Sequence, residues 1–435
     1  MGCGDIEKAE RALHAKYGPV VRIAPTEVIC SDPAAIPILY RDRDPLDKAP
    51  WYAGMRSRGI SDQADLFTDV DEEHHALYRK IVGPVYQMRS ILKNESAIDE
   101  CVDMFIRRLG EFAAKKESFD LGHWLELFAN DVIGYTLSGR SLGFVETGTD
   151  VGSWIESKDQ MLPFAHVAGQ GPSYMATPLI ILAFLAPGMT KAFKSIGNIA
   201  DASKELVHER SKRSVEELAK GRDILSQLFT IMHSRGSQTG FTQREIALET
   251  WVSIIAGADS TAIAMRATLY YLMRDPERYA KAVDEIRAAD ARGELSTPVR
   301  YAEVMARLPY VCACIKEATR LFPSFALRMS RQAPEQGLEI CAHFIPAGYA
   351  VGMNPAVVHY DTGVFGADAD KFRPERWLES PERSAAMDKG IILFGAAGRA
   401  CVGQNVCIHP RSGHGVLKLM WKIVDCTRRD AQAGA

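Results

Sequence analysis

The stretch from Glu245 to Arg274 reads as one helix of about 30 residues, apolar over most of its circumference. A surface helix needs only an apolar stripe, so a helix greasy all round has to run through the middle of a large domain. The rest of the chain must therefore supply a shell for it. With 435 residues, 47% hydrophobic and 25% charged, the chain has the length and the apolar material to do so.

Helical periodicity dominates from about Glu72 to Arg292. Ile98, Val102, Phe105, Ile106 and Leu109 fall at helical spacing, as do Leu125, Phe128 and Val132, and then the run from Leu206 to Leu218. Met1 to Tyr17 is polar and helical in pattern. Clear alternation is confined to Pro19–Ala24 and Glu27–Cys30, which predicts a short β-hairpin. After Pro323 the texture changes: Gly337, Pro346, Gly348, Pro355 and Pro374 punctuate short pieces such as Leu338–Ile340 and Tyr349–Val351, the chemistry of strands and meander. Without a repeat or linker, residues 1–435 read as a single domain, mainly α with small β sheets.

Several function classes are excluded at this level. Lys plus Arg number 52 against 55 Asp plus Glu, a net charge of −3, so no nucleic-acid partner is implied. The nine cysteines are odd in number and contain no C-x-x-C pair, which argues against a disulfide framework and for a single working thiolate. The longest greasy stretch, Leu179–Met189, is about half the ~20 residues that span a bilayer. Pro187 interrupts it, and no transmembrane anchor is visible.

Four constellations carry chemistry. The first is Phe394-Gly395-Ala396-Ala397-Gly398-Arg399-Ala400-Cys401-Val402-Gly403. A Gly-rich loop lets backbone approach a flat ligand, and a thiolate at the start of a helix is favoured there by free amides. A buried thiolate facing a planar macrocycle is the axial ligand of haem-thiolate enzymes. The second is Glu317-Ala318-Thr319-Arg320, the one E-x-x-R in the chain, followed by the helix stop at Pro323. The third is Phe372-Arg373-Pro374-Glu375-Arg376-Trp377, a Pro-fixed turn able to bring a second Arg to the same carboxylate. A buried Glu shared by two Arg side chains locks geometry. The fourth lies inside the long helix, Ala256-Gly257-Ala258-Asp259-Ser260-Thr261. There a poor helix former beside a hydroxyl predicts a local opening for O2 and water.

Together, the four sets resemble the haem-thiolate monooxygenase superfamily, cytochrome P-450, from about Tyr17 to Gly403. With Tyr17-Gly18-Pro19-Val20-Val21-Arg22-Ile23 they resemble fungal members of secondary metabolism, of the pisatin-demethylase type. The resemblance implies a helical prism enclosing haem b, with Cys401 as the axial iron ligand, Phe394 shielding its sulfur and Gly403 giving the next helix access to the haem face. It implies Arg399, Arg331 and the pair His75 and Arg79 as partners of the haem propionates, for which the planar fork of Arg is suited. Asp259 and Ser260 match the acid–alcohol pair, with Ser where Thr is usual, and Glu317, Arg320 and Arg376 match the structural triad. The implied reaction is a monooxygenation: O2 is activated and one oxygen enters a lipophilic small molecule. NADPH would act only through a separate cytochrome reductase, because no dinucleotide fingerprint follows a strand here. A monomer, associated with the endoplasmic reticulum membrane, is the corresponding expectation.

Two stretches depart from the pattern. Ala397 stands where the family has its second Gly. Cys407-Ile408-His409-Pro410-Arg411-Ser412-Gly413-His414-Gly415 cannot continue the helix expected after Cys401. Helical texture resumes at Leu417–Val424. The proximal helix and C-terminal tail thus read as disrupted after about 406, and the family's N-terminal anchor as missing. A degraded gene or altered gene model, giving a catalytically impaired or haem-poor protein of the same fold, is the competing expectation. The substrate pocket is expected from Met161–Met189, Ile255, Ala258 and Ser324–Leu327.

Overall fold

The computed structural model describes residues 5–57, 59–170 and 189–406. Almost all of Leu179–Met189, much of the pocket segment Met161–Met189, the break at Cys407–Gly415 and the run Leu417–Val424 lie outside the described residues.

The helical body is built from α1 (Ile6–Tyr17), α2 (Glu72–Val82), α3 (Glu95–Lys115), α4 (Leu121–Ser138), α5 (Trp154–Gln170), α6 (Met189–Ser211), α7 (Ile224–Thr239), α8 (Gln243–Met273), α9 (Pro276–Ala291) and α10 (Pro309–Leu321), with shorter turns between them. The long apolar run is α8. Thr242 starts it with a capping box, its backbone N–H donating to Glu245 Oε2 at 2.8 Å. By length and composition α8 could cross a bilayer, yet it packs against α4, α6, α7 and α10 and contributes Ile246, Leu248, Ile254, Ala258, Met265 and Leu272 to one continuous apolar core.

Two helical expectations change in detail. The run from Leu206 to Leu218 is not one helix: α6 ends at Ser211, and a new turn, Val215–Lys220, begins where Ser214 caps it reciprocally with Glu217. A Ser that can satisfy the first free amides starts a helix more readily than it continues one. The long helix also stays helical through Gly257 rather than opening there. A Cβ at Gly257 would lie 2.6 Å from Ile133 Cδ1, so this glycine admits α4 to close packing.

The hairpin forms as β1 (Val20–Ala24) and β2 (Glu27–Cys30), antiparallel, with Val21 opposite Ile29. Its far edge pairs in parallel with β6 (Ala350–Gly352), which pairs antiparallel with β3 (Arg331–Gln332), giving the sheet order β1-β2-β6-β3. A second hairpin joins β4 (Leu338–Ile340) to β5 (His343–Ile345). Val28, Ile36, Leu39, Met329, Val351, Met353 and Ile392 form a separate apolar cluster that carries the sheet and the approach to the Cys401 loop.

Candidate functional site

The Gly-rich segment folds as a tight loop closed by Gly395 N–H to the Ile392 carbonyl (3.0 Å), Ala400 N–H to Ala397 (3.0 Å) and Cys401 N–H to Phe394 (2.7 Å). Gly395 takes φ +72 and Ala397 φ +55, both in the left-handed region. A methyl is disfavoured at that φ, so the alanine is strained where a glycine would not be. Gly398 sits in open space. Cys401 begins a short 3-10 turn, Val402–Asn405, and Asn405 Nδ2 donates to the Tyr86 carbonyl at 2.9 Å. The Cys401 side chain is exposed at the start of this turn. A Cβ on Gly403 would stand 3.9 Å from the sulfur. Phe394 is half-buried at the start of the loop.

Four cations gather at the helix α2 and this loop. Arg79 on α2 donates to the Ala400 carbonyl at 2.7 Å. Arg399 lies 2.6 Å from Glu72 and donates to the Asp69 carbonyl. Arg331, at the start of β3, is buried with its guanidinium 4.9 Å from the Tyr40 ring centre. Lys48, which sequence reasoning missed, is buried beside Tyr52 and Phe67 and donates to the carbonyls of Leu66 and Phe67. Among the described residues, only Arg399 of these four has a carboxylate within ion-pair distance. Burial, then Arg331 and Arg399, push the Lys48 ammonium well below its usual range, against the pull of Asp65 and Asp69.

At the centre of these charges is His75, 2% exposed. Burial first, and then Arg399, Lys48, Arg79 and Arg331, push its imidazole down to about 3. Its Nδ1 makes no hydrogen bond and lies 3.7 Å from Glu72. Buried cations without counter-charges and an orphaned ring nitrogen are costly unless an anion completes them. A planar group carrying two carboxylates, seated against an open cysteine, fits this donor set.

The fourth constellation is placed on α8. Ser260 Oγ donates back to the Ala256 carbonyl at 2.7 Å, and Asp259 meets Lys158 of α5 at 2.5 Å. The Lys158 side chain is wholly buried, which makes Asp259 its obligatory partner. Ser324, beyond the end of α10, donates to the Ser260 carbonyl at 2.7 Å. Ala256 is exposed midway along this helix and Ser253 and Ser260 are half-buried, so the face bearing Ala256 and Ser260 is open.

Glu317, Arg320 and Arg376 come together with fully buried side chains. Arg320 grips Glu317 through two bonds of 2.9 and 2.8 Å, and Arg376 Nε reaches the same carboxylate at 2.9 Å. Trp377 Nε1 and the Arg373 backbone N–H complete it at 2.9 and 3.1 Å. His359, fully buried, then links the lock to the cysteine loop. Its Nδ1 donates to the Arg320 carbonyl at 3.1 Å and its Nε2 accepts from Ile392 N–H at 3.0 Å. Trp377 could have been found as the neighbour of Arg376; Lys48, Lys158 and His359 carried no local signal.

The chain matches the Cytochrome P-450 family profile over residues 4–409. It is 37% identical to the cytochrome P-450 monooxygenase gsfF of Penicillium aethiopicum, covering 93% of this chain and 80% of that one. A cytochrome P-450 monooxygenase of Alternaria alternata is 39% identical over 75% of this chain and 87% of its own length. The monooxygenase cicH of Emericella nidulans is 36% identical over 91% and 78%. The profile match spans the α8 constellation, the Glu317 lock and the cysteine loop, and the chain belongs to the cytochrome P-450 family of haem-thiolate, oxygen-incorporating oxidoreductases.

Proposed function

We propose that residues 1–435 form one cytochrome P-450 domain in which Cys401 ligates the iron of haem b, and that it inserts one oxygen of O2 into a lipophilic small molecule of fungal secondary metabolism. Haem on a thiolate supplies the means of reducing and splitting O2, a reaction that consumes two electrons and two protons per oxygen inserted. The observation that carries the reading is the set Lys48, Arg79 and Arg331, cations with no carboxylate partner among the described residues, gathered about neutral His75 beside the cysteine loop.

In this reading Arg79, Arg331, Arg399 and Lys48 hold the two haem carboxylates, and His75, uncharged at neutral pH, contributes a ring nitrogen there without adding to the positive charge. Arg79 also fixes the loop by its bond to the Ala400 carbonyl. Phe394, at the start of the loop, would shield the sulfur, and Gly403 would keep the space beside it clear of a side chain. Glu317, Arg320 and Arg376 position the meander that leads into the loop.

Asp259 and Ser260 would supply protons to the oxygen chemistry. Ser260 Oγ–H already points to a backbone acceptor and can turn to donate, while Lys158 holds the Asp259 carboxylate in place. Ile255, Ala258 and Ser324–Leu327 contribute to the substrate wall. Electrons come from NADPH through a separate reductase, and the protein works as a monomer associated with the endoplasmic reticulum membrane, as P-450 proteins usually are.

The test is the spectrum of the reduced, purified protein under carbon monoxide. A red-shifted Soret band that disappears in Cys401→Ser supports the assignment. A colourless protein after reconstitution with hemin, or a Cys401→Ser variant with the same band, overturns it.

A further inference from the structure

Glu249 lies on α8, three turns before Ser260, and is 3% exposed. No cation is among the groups acting on it. It meets Tyr78 of α2, Tyr86 of the turn Gly83–Tyr86, and the charge of Asp65. Burial dominates these influences and pushes its carboxyl up to about 7. The Tyr86 hydroxyl bridges two groups on the helix, at 3.1 Å from Glu249 Oε2 and 2.8 Å from Ser253 Oγ. The Tyr78 hydroxyl faces the same carboxyl, yet neither it nor Oε1 closes a hydrogen bond of normal geometry. Two buried polar atoms left open in this way leave room for an ordered water or for a proton that changes owner.

The placement along the helix gives the cluster a direction. Residues 249, 253, 256 and 260 are spaced i, i+4, i+7 and i+11, which puts them on one face of α8. At that face lie Glu249, then Ser253 with Tyr86, then exposed Ala256, and finally Ser260 bonded to the Ala256 carbonyl. Ser253 and Ser260 are about 10 Å apart along the axis, a gap that a few waters can bridge.

We infer that Glu249 is a proton-relay residue, which holds a proton in the core and passes it through Tyr86 and Ser253 along this helix face toward Ser260. The inference rests on the oxygen-activating reading of the Cys401 site. The step is a transfer of protons only: the Glu249 carboxyl gives up its proton, each hydroxyl accepts one and releases another, and the carboxylate is reprotonated from solvent. No bond between heavy atoms forms or breaks.

The haem-loaded full chain serves for the test. In infrared spectra titrated through neutrality, the wild type should show a carboxylic-acid C=O band that fades with a midpoint near 7. That band should be missing in Glu249→Gln. In reductase-supported NADPH oxidation without added substrate, the wild-type rate should fall as pH rises through 7. Glu249→Gln should be several-fold slower below 7, lose that inflection and show a larger solvent deuterium isotope effect. Tyr86→Phe keeps the ring and the carbonyl that binds Asn405, should move the rate the same way, and decides the matter if Glu249→Gln does not accumulate.

A carboxyl band that does not titrate, or a variant that keeps the wild-type inflection and isotope effect, overturns the relay. The carbon monoxide spectrum of the same samples separates the two readings. If the thiolate band is present and the pH profile unchanged, the relay alone falls. If the thiolate band is absent, the oxygen-activating reading falls and takes the relay with it.

Discussion

Ser324 Oγ donates a 2.7 Å hydrogen bond to the backbone carbonyl of Ser260, joining the loop after α10 to the middle of α8. The two residues are 64 positions apart, and the same loop is tied to α1 and to the sheet by Arg328, which pairs with Glu10 and Glu27. A shift of this loop, as when a substrate rests against it, is therefore felt at the carbonyl of the residue proposed to handle protons.

Removing that bond should cost little in stability and more in control. Ser324→Ala should lower folding stability by about 1 kcal/mol, the worth of a single neutral hydrogen bond. At the same time, a larger share of consumed NADPH should appear as hydrogen peroxide. Ser324→Thr, which retains the hydroxyl, should restore the wild-type share. Peroxide and NADPH assayed together on the three proteins check this, and an unchanged ratio in Ser324→Ala would show that the link is only structural.

The cysteine loop carries a removable strain. Ala397 holds φ +55, where its methyl costs roughly 1 kcal/mol that glycine does not incur. Ala397→Gly should therefore raise the stability of the haem-loaded protein by up to about that amount and slow haem loss to apomyoglobin. Thermal unfolding and a haem-transfer assay measure the two effects. A fall in both would mean that the methyl packs against a neighbour and that the strain is outweighed.

Lys48 separates stability from cofactor affinity. A buried ammonium with backbone acceptors alone burdens the protein without haem, and burial with two neighbouring guanidiniums already pushes it toward neutrality. Lys48→Met should make the haem-free protein more resistant to urea while weakening hemin binding several-fold. Denaturation curves and hemin titration would expose a purely packing role if both properties fell together.

Stability should also decline on the acid side. His359 is fully buried, with its carbonyl and amide partners fixing one neutral tautomer, and burial pushes its ring down to about 3. Unfolded histidine takes up a proton below about 6.5, so the unfolded chain binds more protons between that value and 3. Folding stability is thus present above about 6.5 and falls with pH below it, by about 1.4 kcal/mol per unit for this one group. Urea unfolding of wild type and His359→Gln at neutral and mildly acid pH tests the slope. The variant should start less stable and lose less on acidification.

What could be read in advance was whatever neighbouring residues encode together. The α8 run showed itself through a composition apolar on all sides, and Glu317 and Arg320 through helical spacing with Pro323 behind them. Arg376 was legible because Pro374 fixes a turn next to it, and the meeting of the two arginines on the Glu317 carboxylate follows that spacing closely. The Leu206–Leu218 run misled because periodicity continues past Ser211, while the capping of Ser214 with Glu217 decides where the chain breaks.

The sequence by itself determined the helices, the first hairpin, the Gly-rich cysteine loop and the family, because each is written in local periodicity, turn chemistry or motif spacing. Only the tertiary structure decided that β2 pairs with β6 across some 320 residues, that Gly257 serves the close packing of Ile133, and that Lys158 meets Asp259. It alone also added Lys48 to the Arg79, Arg331 and Arg399 that act on His75. The physical reason is that a buried charge is tolerable only with the right partner at hand, and partners from distant segments are chosen by the packing of the core, which no local window of sequence contains.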